Sequence, residues 1–266
     1  MEITSLQELL ARKEPLDSEL KRYIRRMGMG GLMVNHPLVQ GMFYNKMENA
    51  LLNAQLKYKK EALSDAYEKK DYYKYLFLHE RPYRFNAFMD LIFRLRRDKE
   101  ELEDKLYFEL LGDIWIDSEN LWQMEPLFSL LFEPPNRDLS TCIYMMDEHD
   151  RHLLDPSNAP SNGWVLYRGY CRPRRKLGWS WTTSPKKAIW FAKRLAHDKQ
   201  IPRVAIAHCD HKDVIAFMNG RGESEVVVDP KTIRVEKVIT DFDSYDWVAG
   251  KVKEAANARH NNEVQS

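Results

Sequence analysis

Along the first 155 residues apolar positions recur at intervals of three and four, and long stretches hold no Gly or Pro, a pattern that predicts helices. Ser5 with Glu8 forms a capping box, and a helix beginning near Pro15 is expected to stop at Gly28, Gly30 and Gly31. A longer one is expected after Asn35, with Pro37 in its first turn, running to about Lys70; Pro82, Asp98 and Ser118 mark three further starts. The stretch from Asp155 to Gly163 concentrates turn formers and reads as a domain boundary.

Beyond it the pattern shortens to β-rich runs: Trp164 to Tyr170, Trp179 to Thr183, Arg203 to His208, Val214 to Met218, Glu225 to Asp229 and Ile233 to Thr240. One helix interrupts them, Pro185 to His197, with Ser184 as its cap. The expectation is an α+β chain with a helical domain over 1–155, a small mixed β module over 156–248 and a tail over 249–266. A short helix beyond Val248 and a frayed end over 257–266 complete it.

Composition narrows the classes. With 266 residues, 44% apolar and 30% charged, the chain can bury one large or two small cores. No apolar run approaches the roughly 18 residues of a membrane span, and the first eight residues lack the basic and apolar stretches of a signal peptide, so a cytoplasmic location without membrane contact is expected. Cys142, Cys171 and Cys209 are too scattered for a disulfide framework. The near-neutral total hides an asymmetry: residues 1–160 carry 22 Lys and Arg against 28 Asp and Glu, net −6, and the remainder 19 against 12, net +7. A basic C-terminal part suits a polyanionic ligand, such as a dinucleotide or a nucleic acid.

Three segments carry candidate chemistry. Tyr167-Arg168-Gly169 places one arginine in an apolar strand, with Gly169 permitting close backbone approach; alone, it also fits an edge-strand arginine reaching water. Ser180-Trp181-Thr182-Thr183-Ser184 is a hydroxyl-rich strand running into the helix at Pro185, able to orient a sugar. In Asn219-Gly-Arg-Gly-Glu-Ser-Glu225, Glu223 and Glu225 share a face if the strand begins by Glu223, a like-charge pair that needs a partner or ligand. Paired carboxylates at a sheet's lip suit glycoside-bond chemistry. The run His208-Cys209-Asp210-His211 contains metal-ligand types, but neighbouring strand residues alternate faces, and no metal is expected. His79-Glu80-Arg81 and the segment between Trp115 and Trp122 read as capping and core packing, with a cleft wall as the alternative for the latter.

Taken in order, these segments resemble the Arg-Ser-Glu class of mono-ADP-ribosyltransferases: an aromatic-Arg-Gly strand, a Ser-Thr-Ser-like strand before a helix, and a Glu-x-Glu strand start. The likeness covers about residues 163–240. The middle segment departs from the family pattern, leaving Ser180 and Thr182 as alternatives for the family serine. The whole chain is also similar to uncharacterised bacterial and prophage proteins that pair such a module with a helical N-terminal part, containing runs like Leu78-His-Glu-Arg-Pro-Tyr-Arg84 and Gly112-Asp-Ile-Trp-Ile-Asp-Ser-Glu-Asn-Leu-Trp122.

The resemblance implies a helical half packed on a split β-sandwich that binds NAD as a substrate. It implies Tyr167, Arg168, Gly169, Ser180, Thr182 and Thr183 around the NAD, with Arg168 on its phosphates and ribose. Glu225 would stabilise the oxocarbenium-like transition state and Glu223 would align or deprotonate the acceptor. A Glu at this earlier position goes in that family with transfer to protein arginine. A nucleic-acid base remains an alternative acceptor, because Arg172, Arg174, Arg175 and Lys176 form a basic run; plain NAD hydrolysis and a non-catalytic binding module are the others. A toxin or phage-defence role with an antitoxin partner is a further implication.

Overall fold

A computed structural model of the chain describes residues 6–28, 30–118, 124–132, 138–172, 177–197 and 200–243. Trp122, the basic positions 174–176 and the expected C-terminal helix and tail lie outside the described residues. The fold is mixed α and β, with an antiparallel three-stranded sheet and an antiparallel six-stranded one. The backbone divides into two compact units, one of residues 1–102 with 117–120, the other of 103–116 with 121–266. The division follows Leu102, not the turn-rich Asp155–Gly163 stretch. There Asp155 accepts the Ser157 N–H at 2.9 Å and starts a single helical turn, Pro156–Asn158, inside the second unit.

The first unit is not all helical. Short helices α1 (Leu6–Ala11) and α2 (Ser18–Lys21) precede strands β1 (Ile24–Arg26), β2 (Leu32–Asn35) and β3 (Gln40–Gly41). Ile24 pairs with Val34 and Arg26 with Leu32, so the glycines at 28–31 form a hairpin turn rather than a helix stop. Pro37 lies in the next turn, where His36 and Val39 exchange backbone hydrogen bonds, rather than opening a helix. The long helix α3 (Asn49–Glu68) starts later, after a single turn that Asn45 caps through the Met47 N–H at 2.8 Å. Val34 is fully buried with Leu16, Leu20, Leu38, Val39, Leu52 and Leu56, so the hairpin closes the core over one face of α3. Helices α4 (Tyr72–Phe77) and α5 (Arg84–Arg97) follow, with His79–Arg81 between them.

In the second unit, α6 (Asp104–Asp117, all but its last residue) and α7 (Glu125–Phe132) bring Trp115, Phe128 and Phe132 together with Trp179; the Phe132 and Trp179 rings stack at 5.0 Å. Strands β4 (Trp164–Tyr170), β5 (Ser180–Thr182), β6 (Arg203–Cys209), β7 (Val214–Met218), β8 (Glu225–Val228) and β9 (Arg234–Ile239) form the larger sheet in the order β7-β8-β5-β4-β6-β9. Helix α8 (Pro185–Leu195) begins with Ser184 accepting the Lys187 N–H.

The pairing within this sheet is uneven. Strand β4 pairs with β6 from Trp164↔Cys209 to Tyr170↔Arg203, and β5 with β8 over its three residues, but β4 meets β5 at Tyr167↔Thr182 alone. The sheet is thus two three-stranded halves joined at a seam. On the β4 side α8 lies unusually close: a Cβ on Gly169 would stand 2.0 Å from the Ala188 carbonyl oxygen and 2.6 Å from the Ala192 nitrogen. Tyr167, fully buried, packs with Ala188, Ala192, Val204, Ile206 and Ile239.

Candidate functional site

The seam gathers the three candidate segments within the second unit. Successive strand residues point to opposite faces, so Arg168, between Tyr167 and Gly169, turns away from α8. It donates through Nη1 to the Ser180 carbonyl across the seam and through Nη2 to Glu125 Oε1 at 3.2 Å. The Ser180 carbonyl, which β4 would otherwise pair with a backbone N–H, is satisfied by a side chain instead. Arg168 lies on a central strand and is largely buried, so it is not an edge-strand arginine reaching water.

The Ser180 hydroxyl donates to Glu225 Oε1. Thr182, although it pairs directly with Glu225 in register, donates its own hydroxyl to the Glu223 carbonyl at 2.7 Å and accepts the Ser184 N–H at 3.1 Å. Of the two alternatives, Ser180 therefore touches the carboxylate and Thr182 shapes the turn. Thr183 contributes its backbone N–H to the Ser224 carbonyl at 3.1 Å. Tyr167 and Gly169 pack against α8, whose backbone the Gly169 backbone approaches closely.

Strand β8 starts at Glu225, so Glu223 belongs to the preceding loop and does not share a strand face with it. Between them Ser224 holds a left-handed φ of 49°, a conformation that non-glycine residues adopt at a cost of order 1 kcal/mol. What joins the two carboxylates is Arg221, whose Nη2 is 3.1 Å from Glu223 Oε2 and 3.5 Å from Glu225 Oε2. Glu225 is 4% exposed, and burial pushes its carboxyl above the ordinary glutamate range; Glu223 reinforces the rise, while the Ser180 hydroxyl, Arg221 and the buried Trp115 indole oppose it. A buried carboxylate so placed favours any positive charge that reaches it.

Glu125 and Arg221 are the contributors that sequence reasoning missed. Arg221 had a signal, since two carboxylates brought together call for a cation and it lies four residues before Glu225. Glu125, on another helix 43 residues before Arg168, had none. Trp115, one flank of the segment for which a cleft wall is the alternative, lies beside Glu225; residues 119–123 of that segment lie outside the described residues.

In the run 208–211, His211 has its Nδ1 3.1 Å from the Trp164 indole nitrogen and its Nε2 2.9 Å from the Leu154 carbonyl, and Cys209 is buried. Among the described residues no group of three His, Cys, Asp or Glu side chains is placed to hold a metal ion, and no helix is long and apolar enough to cross a membrane. Comparison with family models, curated proteins and solved structures finds no match for the chain.

Proposed function

We propose that the protein is an NAD-dependent mono-ADP-ribosyltransferase acting on a macromolecule, with protein arginine as the favoured acceptor. The observation that carries this reading is the hydrogen bond from Ser180 to Glu225 beside an arginine anchored on the opposite side of the same seam. Those three residue types are the ones the family resemblance assigns to NAD, and the fold brings them together from three strands.

In this reading Arg168 offers a planar set of donors to the NAD pyrophosphate, exchanging its Glu125 contact for phosphate oxygens. Ser180 fixes the rotamer of Glu225. Glu225 receives the 2′-hydroxyl of the nicotinamide ribose and stabilises the positive charge that grows at C1′ as nicotinamide departs; a preorganised charge of this kind is usually the largest catalytic contribution. Glu223 accepts the proton of the attacking nitrogen. A role as a toxin or defence effector held by an antitoxin extends the same proposal to biology, with the resemblance as its only support.

The test is nicotinamide release from NAD by the purified protein beside Glu225→Gln. Loss in the variant with an unchanged circular dichroism spectrum supports turnover. Equal rates with and without the carboxylate, or no release by the wild type with or without lysate, would leave an NAD-binding module as the better reading.

A further inference from the structure

The loop before β8 carries its own guanidinium into the carboxylate pair. Arg221 sits between Gly220 and Gly222, about one third exposed, with one nitrogen within 3.5 Å of both Glu223 and Glu225. A nitrogen that is to attack C1′ must satisfy two conditions. It must reach the carboxylate that faces the developing positive charge, and it must have a second carboxylate close enough to remove its proton. Arg221 Nη2 meets both. The loop has latitude to adjust, since Gly222 holds a φ of 62° with open space at its Cβ position. The other end of the loop is tied down by the Ser224 N–H to Asn219 Oδ1 at 3.3 Å and by the Asn219 N–H to Asp150 Oδ2 at 3.2 Å.

We propose that Arg221 is an acceptor built into the site: the protein transfers ADP-ribose to its own Arg221, and unmodified Arg221 competes with guanidinium groups of other molecules. This rests on the transferase reading above and adds the modified residue and the acceptor chemistry. The bond between C1′ and the nicotinamide nitrogen breaks, and nicotinamide leaves as a neutral molecule with the bonding pair. An Arg221 nitrogen gives a proton to Glu223, which passes it to water, and its electron pair forms the new bond to C1′. Nothing is oxidised or reduced, and one proton is released for each NAD consumed.

The experiment incubates the full chain with NAD, maps modified peptides by mass spectrometry, and follows nicotinamide release with agmatine as the external guanidinium. The wild type should gain one ADP-ribose on the peptide spanning Arg221, at a first-order rate unchanged when the protein is diluted. Arg221→Lys should lose that adduct and modify agmatine several-fold faster, because the competing group is gone. Glu223→Gln should lower the amount of adduct formed per nicotinamide released, a ratio that does not depend on how far turnover itself falls. Transfer to agmatine with the Arg221 peptide unmodified, or a rate that falls on dilution, overturns self-modification and leaves the transferase reading intact. No nicotinamide release under any condition overturns both.

Discussion

Each unit buries an ionisable side chain with charged neighbours, and the two do it differently. In the first, His36 is 4% exposed; its Nε2 faces Glu19 at 3.0 Å and its Nδ1 accepts the Leu38 N–H at 3.1 Å, which together define a neutral ring. Burial holds His36 below the usual histidine range, and Lys60, reaching Glu19 from the solvent side, helps keep that carboxylate ionised. Each group there rests in the charge state its surroundings favour. In the second unit Glu225 is raised by burial, faces another carboxylate, and leans on one loop arginine. The first arrangement is complete as a structural tie. The second would gain from an arriving cationic centre.

The widest test of that contrast is chemical. If Glu225 is the group that meets growing positive charge, Glu225→Gln should lower nicotinamide release by about 10²- to 10³-fold. His36→Gln should leave release within a factor of two or so, since a change confined to a structural tie acts through stability. Comparable losses from the two substitutions would erase the distinction. Gly169→Ala should destabilise the second unit by about 3 kcal/mol or more, because its Cβ meets helix backbone that cannot move alone. Gly41→Ala in the first unit should cost far less, its nearest neighbour being the flexible end of Leu52 at 3.3 Å. Chemical denaturation of both variants measures the gap.

The pH responses should have opposite signs. An imidazole held below its unfolded value of 6.5 stabilises the fold above that pH, and the contribution is lost as the pH falls from there. A carboxyl raised above its unfolded value of 4.5 acts in reverse: its contribution is fullest below that pH and is lost as the pH rises. Between pH 7 and 5, hydrogen exchange corrected for intrinsic rates should show Val34 losing protection relative to Val226 and Val227. Glu225→Gln should remove its share of the second slope and stabilise the protein at pH 7 by about 1 kcal/mol, the scale at which relieving a site's built-in penalty is felt. The smallest effect expected is from Lys60→Met, a few tenths of a kcal/mol by thermal melting, since the lysine is half exposed.

The second unit was the more legible in sequence. Strands β4 and β7 fall on the residues expected, and the others within two, because β-rich runs bounded by turn formers have few other solutions. The β1–β2 hairpin escaped because a three-residue strand leaves no period, and its glycines suit a helix end as well as a turn. Asp98 misled in a similar way: it closes α5 and accepts the Tyr67 hydroxyl at 2.7 Å, while the next helix waits until Asp104. In the site, Arg168, Ser180 and Glu225 could be singled out because each sits in a distinctive run. Which hydroxyl meets Glu225 could not, since it depends on a diagonal across two strands, and Glu125 depends on a helix distant in sequence.

The single backbone pair between β4 and β5 also has a mechanical meaning. A sheet resists being peeled apart through its ladder of hydrogen bonds, and here the ladder has one rung, with the Arg168 guanidinium bolted across beside it. Tension between the two halves of the sheet would concentrate on that bolt.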